Sequence, residues 1–242
     1  MEVDFILFDL YGTLVEVEVN EDTPAFWAAL ANNLRDRGVC TDPTQLREAF
    51  FSIFESVRSR LPDGFIMESV LMRLLLALGG KATNREVQSF GAAFRKFSIK
   101  RLSLRSYTGA LLEAVRASGC KTGIVSNTEG ILTRFDLSRF PSLQRVDVTI
   151  LSSEVGMKKP ARGIFRVAMK RLGVTPKTGV FVGDNLQDDI IGAQRVGLRC
   201  IYLRNDGDDL NGGSNKPRVR EAIPNLESIG KALRELGWTG TV

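Results

Sequence analysis

Four apolar stretches of the sequence are each followed by polar side chains that could do chemistry. In chain order these side chains are Asp9, then Ser126 and Asn127, then Lys159, and finally Asp184 with Asp188 and Asp189. They supply a carboxylate, a hydroxyl group, an ammonium group and a cluster of further carboxylates. A carboxylate can attack phosphorus, and a divalent cation can bridge it to the phosphate oxygens, so these groups suffice for phosphoryl transfer.

The carboxylates would provide the nucleophile and the metal site of such a reaction. Asp9 would attack phosphorus, and Asp9, Asp184 and the backbone carbonyl near Tyr11 would bind Mg²⁺, because sites made of oxygen ligands favour Mg²⁺ or Ca²⁺ over zinc. Gly12, which has no side chain, would let the backbone approach the bound phosphate and metal closely. Asp188 and Asp189 could instead be acidic residues at the start of a helix, because the helix dipole favours negative charge in the first turn.

The hydroxyl and ammonium groups would bind the phosphate. Ser126 and the backbone N–H groups of Asn127 and Thr128, at the start of a helix, would hold a phosphate oxygen. Lys159 would neutralise charge on the phosphate and keep Asp9 ionised. Ser126 could instead be a turn residue, and Lys159 could be an exposed loop residue.

The composition excludes several other chemistries. The 242-residue chain contains no histidine, which removes Ser-His-Asp catalysis, Cys-His catalysis and His-ligated zinc. Its cysteines, Cys40, Cys120 and Cys200, lack metal-ligand spacing, and their odd number argues against a disulfide framework. The net charge of +5 comes from scattered residues. We therefore expect a small anionic substrate and no nucleic-acid partner.

The location is also constrained by the sequence. No apolar run approaches the roughly 20 residues that span a bilayer. The first ten residues have no basic segment and carry three acidic residues, so they do not resemble a signal peptide. We expect a cytoplasmic protein without a membrane partner.

Alternating strands and helices would position the polar groups. The pattern predicts strands over residues 3–9, 121–126, 146–151, 178–183 and 199–203, with helices over about 109–117, 162–172 and 187–196. Repeated strand–helix units indicate a doubly wound parallel sheet of the α/β class, in which ligands bind at the carboxyl ends of the strands. The residues at 205–216, rich in Asn, Asp and Gly, predict a surface loop.

A block of four predicted helices interrupts this alternation, over about residues 23–37, 43–60, 66–79 and 84–99. Asp42 and Pro43 are a typical N-cap and first-turn pair, and Thr83 with Glu86 forms a capping-box signature. We therefore predict a catalytic core over residues 1–17 and 104–242, with an all-helical cap domain inserted over residues 18–103. The oligomeric state stays open, because the third helix is apolar nearly all round and could pair with another subunit.

Four motifs resemble those of the haloacid dehalogenase (HAD) superfamily, in the same order. They are Asp-Leu-Tyr-Gly-Thr-Leu at 9–14, Ile-Val-Ser-Asn at 124–127, Lys-Pro at 159–160 and Gly-Asp-Asn-Leu-Gln-Asp-Asp-Ile-Ile-Gly-Ala at 183–193. With its helical insert, the chain resembles the branch of dehalogenases and phosphoglycolate-phosphatase-like enzymes. The resemblance covers nearly the whole chain. It implies a Rossmann-like core, a cap that gates the substrate, and Mg²⁺ as cofactor.

The resemblance also implies roles for single residues. The catalytic set would be Asp9, Tyr11, Ser126 and Lys159. The substrate-binding set would be Gly12, Thr13, Asn127 and Thr128. The metal set would be Asp9, the backbone carbonyl of Tyr11, Asp184, and Asp189 acting through a water molecule.

Tyr11 departs from the phosphatase version of the first motif. Phosphatases of the family carry a second Asp there, which protonates the leaving alcohol and then activates water. A phenol, with a reference pKa of about 10, is a poor base near neutrality. Tyr at this position resembles the L-2-haloacid dehalogenases, in which the carboxylate attacks carbon and no metal is used.

The fourth motif resembles the metal-binding phosphatases instead. A metal-free dehalogenase has no need for Asp184 and Asp189 beside its nucleophile, since their charges would raise the pKa of Asp9. We therefore favour a Mg²⁺-dependent phosphatase that acts on a small phosphorylated metabolite through an aspartyl-phosphate on Asp9. The alternatives are a metal-independent L-2-haloacid dehalogenase with an ester intermediate on Asp9, and a HAD-fold binding protein with weak catalysis.

Overall fold

The strands that end in the candidate polar residues pair with one another in a single parallel sheet. A computed structural model describes residues 2–61, 64–204 and 221–241, so the loop predicted at 205–216 lies outside the described residues. The strands are β1 (Phe5–Phe8), β2 (Val15–Val19), β3 (Ile99–Leu104), β4 (Lys121–Ser126), β5 (Val148–Leu151), β6 (Gly179–Gly183), β7 (Arg199–Leu203) and β8 (Glu221–Ile223). The parallel sheet has the order β5-β4-β1-β6-β7-β8, and β2 pairs with β3 in a separate two-stranded sheet.

The helices fall largely where the sequence predicts them. They are α1 (Pro24–Arg35), α2 (Pro43–Arg58), α3 (Met67–Ala77), α4 (Asn84–Ser98), α5 (Thr108–Ala117), α6 (Gly130–Ser138), α7 (Pro141–Gln144), α8 (Ser152–Val155), α9 (Arg162–Leu172), α10 (Gly192–Gln194) and α11 (Ile229–Glu235). The helix predicted over 187–196 begins as a π-helical turn at Leu186–Ile191 and ends with α10. Short 3₁₀ turns occupy Pro176–Thr178 and Leu226–Ser228. None of the helices within the described ranges combines the length and apolarity needed to cross a bilayer.

The register of β1 brings three polar strand ends together. Phe8, the last residue of β1, pairs with Ile124 of β4 and with Val182 of β6. The Asp9 N–H then donates to the Val182 carbonyl at 2.9 Å. Because parallel strands end at the same edge of a sheet, Asp9 follows β1 beside the ends of β4 and β6. The doubly wound parallel sheet predicted from the sequence is therefore confirmed.

The chain divides into two units, each with its own core. One unit consists of Met1–Glu16, Ser103–Thr128 and Phe140–Val242 and contains the parallel sheet. The other consists of Val17–Leu102 and Glu129–Arg139 and contains α1 to α4 and α6. The predicted boundaries after residues 17 and 103 each differ from these divisions by one residue.

The helix α6 corrects the predicted domain assignment, which placed it in the core. Ile131 of α6 belongs to the apolar cluster of the helical unit. Gly91 of α4 permits this packing, because a Cβ atom at residue 91 would lie 2.4 Å from the Ile131 side chain. A sequence prediction that treats an insert as one continuous segment cannot detect a helix that joins it from elsewhere in the chain.

A buried ion pair also fixes α6 within the helical unit. The Arg95 Nε atom donates to both oxygens of Asp136 at 3.0 Å, and Nη2 donates to Oδ2 at 2.6 Å. Both side chains are at most 9% exposed. Removing one partner of such a pair deprives the other buried charge of its closest counter-charge, which is costly.

Asp136→Asn is therefore expected to lower the free energy of unfolding of the helical unit by about 3–5 kcal/mol. Urea unfolding followed by circular dichroism measures this change. The matched control is Glu55→Gln, which breaks the exposed pair between Glu55 and Arg58 and should cost at most about 1 kcal/mol. Equal effects of the two substitutions would contradict a stabilising role for the buried pair.

Candidate active site

The polar strand ends surround one cavity in the unit that contains the parallel sheet. The cavity has a volume of about 190 Å³. Its lining residues are Asp9, Tyr11, Ser126, Asn127, Thr128, Lys159, Asp184, Asn185, Asp188 and Asp189. The structure thus brings together residues that are up to 180 positions apart in the sequence, as the parallel-sheet prediction requires. Four carboxylates and one ammonium group line this small, polar space.

Lys159 is held between two carboxylates. Its Nζ atom donates to Asp9 Oδ1 at 2.5 Å and to Asp189 Oδ1 at 2.6 Å. The Lys159 side chain is only 3% exposed, which contradicts the alternative of an exposed loop lysine. The second oxygen of Asp189 accepts a hydrogen bond from the Asn185 N–H at 3.0 Å. These contacts leave Asp9 Oδ2 as the Asp9 oxygen that does not bond to Lys159.

The pKa values follow from burial and from these charges. Burial alone would lower the pKa of Lys159, but the charges of Asp9 and Asp189 and their hydrogen bonds raise it above its ordinary value. Burial and then the charge of Asp9 raise the pKa of Asp189 to about 7, although Lys159 and the Asn185 N–H act in the opposite direction. Lys159 is therefore an ammonium group at neutral pH, and Asp9 shares it with a carboxylate that is costly to ionise.

The loop after β1 supports Asp184 from behind. The Thr13 hydroxyl donates to Asp184 Oδ1 at 3.0 Å, and Thr13 is fully buried. Gly12 has φ +82°, and a Cβ atom there would lie 2.2 Å from Asp184 Oδ2. A side chain at residue 12 would therefore displace this carboxylate. The structure places Gly12 and Thr13 against Asp184, and their predicted contact with substrate stays a prediction.

Asn127 uses its side chain as well as its backbone. The Lys159 N–H donates to Asn127 Oδ1 at 2.7 Å, and Asn127 Nδ2 donates to the Lys159 carbonyl at 2.9 Å. The same Nδ2 atom lies 3.3 Å from Asp188 Oδ2. From the sequence we predicted a role only for the backbone N–H of Asn127, in phosphate binding. That role stays a prediction.

Two hydroxyl groups at the end of β4 reach the same cavity. Ser126 is buried and lines it, together with Thr128. Thr128 Oγ1 is buried and has no hydrogen-bond partner in the part of the chain that the structure describes. The Thr128 carbonyl accepts from the Ser152 hydroxyl at 3.1 Å, which anchors this loop to the end of β5. Hydroxyl donors at this position suit the oxygens of a phosphate group.

Two supporting residues were not found by sequence reasoning. Asn185 caps the turn that carries Asp188 and Asp189, because its Oδ1 atom accepts from the N–H groups of Gln187 at 3.0 Å and Asp188 at 2.8 Å. An Asn directly before a cluster of acidic residues is a typical cap, so this signal was present in the sequence. Arg105 Nη1 donates to the Gly12 carbonyl. No local pattern indicates that contact.

The residues of the cavity fit a divalent cation. Carboxylate oxygens of Asp9, Asp184 and Asp189 lie within 4.8 Å of one another. Both Asp189 oxygens already accept hydrogen bonds, from Lys159 and from the Asn185 N–H, which makes Asp9 and Asp184 the better ligand pair. The predicted water-mediated contact of Asp189 with a metal stays a prediction. A cation would also offset the excess of negative charge.

Comparison with known proteins indicates one family. A model of the haloacid dehalogenase-like hydrolase family matches residues 3–197. The chain is 26% identical over 145 residues to ribulose-1,5-bisphosphate 5-phosphatase of Halopiger xanaduensis, covering 59% of this chain and 61% of that enzyme. It therefore spans less than two thirds of that relative. It is 27% identical over 204 residues to glyceraldehyde 3-phosphate phosphatase of Pyrococcus furiosus, covering 84% and 81% of the two chains.

Solved structures show the same fold over nearly the full length. A HAD phosphatase from Thermococcus onnurineus is 25% identical, with a TM-score of 0.58 over 96% of this chain and 98% of that one. A 2-haloacid dehalogenase from Pseudomonas syringae pv. tomato is 21% identical, with a TM-score of 0.67 over 97% of this chain and 100% of that one. The second likeness concerns the fold alone.

Proposed function

Because the chain belongs to the haloacid dehalogenase-like hydrolases, we propose that it is a Mg²⁺-dependent phosphatase that acts on a small phosphate ester through Asp9. The observation that carries this proposal is the position of Asp9, which Lys159 holds beside Asp184 in a polar cavity. Relatives that are named as phosphatases of small phosphorylated metabolites support this substrate class. A cytoplasmic location stays a prediction from the sequence.

The proposed reaction has two steps on one carboxylate. In the first, an Asp9 oxygen forms a bond to phosphorus, and the bond between phosphorus and the alcohol oxygen breaks; the alcohol oxygen leaves with the electron pair and takes a proton from solvent. In the second, a water oxygen attacks the phosphorus of the aspartyl-phosphate and gives up a proton to solvent; the bond between phosphorus and the Asp9 oxygen breaks, inorganic phosphate leaves, and the Asp9 carboxylate is regenerated. The Lys159 ammonium group holds Asp9 in place by a hydrogen bond before the first step, and Ser126 donates a hydrogen bond to a phosphoryl oxygen.

A divalent cation would reduce the repulsion between substrate and site. Asp9 and Asp184 would hold it, and oxygen ligands favour Mg²⁺ or Ca²⁺ over zinc. When bound, Mg²⁺ supplies positive charge where the carboxylate and the phosphate would otherwise repel each other. The cavity lining contains four carboxylates and one ammonium group. An anionic substrate therefore needs the positive charge of the metal ion in order to bind.

Hydrolysis of p-nitrophenyl phosphate tests the proposed function directly. Its leaving group is weakly basic and needs little protonation, so Tyr11 does not block the reaction. We expect turnover with Mg²⁺ and none with EDTA. Turnover that is unchanged in EDTA would contradict the metal site, and no turnover in either condition would contradict the phosphatase proposal.

A haloacid dehalogenase is the second candidate, and one residue favours it. Tyr11 occupies the position at which the phosphatases of the family carry an acid, and it lines the cavity. Chloride release from L-2-chloropropionate in the presence of EDTA tests this candidate. We expect no release, because Asp184 beside Asp9 has no use in a reaction without a metal. Chloride release in EDTA, together with inactivity on phosphate esters, would contradict the phosphatase proposal and support the dehalogenase.

Tyr11→Asp is expected to extend the reaction to esters with basic leaving groups. An Asp at this position would protonate the leaving oxygen and then accept a proton from water, a contribution of about 10²-fold or more. We expect hydrolysis of β-glycerol phosphate to rise by about that factor, with little change for p-nitrophenyl phosphate. The matched control is Tyr11→Asn, which has nearly the same size as Asp but cannot act as an acid. Equal rates for the two variants would show that residue 11 does not reach the leaving group.

A further inference from the structure

The Asn127 side chain holds the main chain of Lys159. We propose that Asn127 is a positioning residue, whose carboxamide fixes Lys159 so that its ammonium group lies between Asp9 and Asp189. This inference rests on the proposed function, because it concerns Lys159 as the partner of the nucleophile. It assigns to the Asn127 side chain a task separate from phosphate binding by the backbone.

The Asn127 side chain makes two hydrogen bonds to the main chain of one residue, Lys159. Oδ1 accepts from the Lys159 N–H at 2.7 Å, and Nδ2 donates to the Lys159 carbonyl at 2.9 Å. The carboxamide therefore engages both polar groups of one residue, as a neighbouring strand would. Two simultaneous bonds fix the direction of the peptide as well as its distance from β4.

The residues beside Lys159 make backbone hydrogen bonds of their own, and none of those within the described ranges involves the Lys159 main chain. Pro160 follows and has no N–H group to donate. Two nearby bonds involve other residues: the Met157 N–H donates to the carbonyl of Ser152 in α8 at 3.3 Å, and the Ala161 N–H donates to the Lys158 carbonyl at 2.9 Å. Both main-chain hydrogen bonds that the structure gives Lys159 come from Asn127. Since a lysine side chain has four rotatable bonds, a fixed main chain limits where Nζ can lie.

The amide also suits its surroundings by being neutral. Asn127 Nδ2 lies 3.3 Å from Asp188 Oδ2, so the amide presents a donor to a carboxylate at the rim of the cavity. An Asp at residue 127 would keep an acceptor for the Lys159 N–H. It would also place an oxygen against the Lys159 carbonyl and against Asp188, and both contacts would then be repulsive.

The test compares wild type, Asn127→Ala, Lys159→Ala and the double variant. Turnover of p-nitrophenyl phosphate and calorimetric affinity for inorganic phosphate, both with Mg²⁺, are measured for each. We expect Asn127→Ala to lower kcat by about 10–100-fold, as loss of groups that orient an active residue typically does. We expect the double variant to bind phosphate no more weakly than Lys159→Ala, because a residue that acts through Lys159 has no effect without it.

Two further variants separate positioning from folding. Asn127→Asp has nearly the size of wild type and should fold, yet it should lose at least as much activity as Asn127→Ala. Asn225→Ala removes an amide that caps the turn at Leu226–Ser228, outside the cavity lining, and should keep wild-type turnover. Thermal unfolding shows whether each variant is folded.

These measurements distinguish a failure of the positioning role of Asn127 from a failure of the phosphatase proposal. Wild-type turnover with full activity in Asn127→Asp would overturn the positioning role and leave the phosphatase proposal intact. Additive losses of phosphate affinity in the double variant would also overturn it, since Asn127 would then act on the ligand directly. An inactive wild type that still binds phosphate, with a non-additive cycle, would overturn the phosphatase proposal and support the positioning role.

Discussion

Asp9→Asn is expected to abolish turnover of p-nitrophenyl phosphate, with a loss of at least about 10⁴-fold. The amide oxygen cannot form the aspartyl-phosphate that the proposed reaction needs. It can still accept the hydrogen bond from Lys159 Nζ that Asp9 Oδ1 accepts at 2.5 Å. We therefore expect the variant to fold, because Lys159 keeps both of its partners. Initial rates with Mg²⁺ measure the loss.

The reaction intermediate provides a second readout for the same residue. Mass spectrometry after an acid quench should find one phosphoryl group on wild type during turnover and none on Asp9→Asn. The control is Asp4→Asn, which removes an exposed carboxylate of the same unit outside the cavity lining. It should keep wild-type rates. Activity of Asp9→Asn within about tenfold of wild type would show that another group attacks the substrate.

Asp184→Asn is expected to weaken the response to Mg²⁺. The amide keeps an acceptor for the Thr13 hydroxyl, which lies 3.0 Å from Asp184 Oδ1, so the loop after β1 should stay in place. It removes one negative ligand charge from the proposed metal site. We expect the Mg²⁺ concentration for half-maximal activity to rise at least about tenfold and kcat to fall about 10²-fold. Titration of activity with Mg²⁺ measures both.

Gly12→Ala offers an independent check on this site. A Cβ atom at residue 12 would lie 2.2 Å from Asp184 Oδ2, so it would displace the carboxylate without removing its charge. We expect a weakened Mg²⁺ response here too. If Asp184→Asn and Gly12→Ala both keep the wild-type response, Asp184 does not bind the cation.

The doubly wound sheet could be predicted because its signals are local. The strand at Lys121–Ser126 and the helix at Arg162–Leu172 have the predicted bounds, since apolar runs and helical spacing fix them without reference to the rest of the chain. The strand β2 was missed although its sequence, Val-Glu-Val-Glu-Val, alternates as a strand does. Its short length beside the first motif hid that signal.

The membership of the site could be predicted, but its internal contacts could not. Strand ends indicate which residues meet, and Asp9, Ser126, Lys159 and Asp184 all line the same cavity. The hydrogen bonds of Asn127 to Lys159 depend on where two separate loops lie after folding. Nothing in the sequence around residue 127 distinguishes a side chain that binds substrate from one that holds a neighbouring loop.

The assignment of α6 to the helical unit has a consequence for synthesis and for engineering. The unit consists of Val17–Leu102 and Glu129–Arg139, with part of the sheet-containing unit between them. During translation its first segment emerges well before the helix that supplies Ile131 to its apolar cluster, so its core is completed only after β4 has been made. An exchange of the helical unit among relatives must therefore transfer both segments, because a graft of residues 17–102 alone would lack Asp136, which forms the buried ion pair with Arg95.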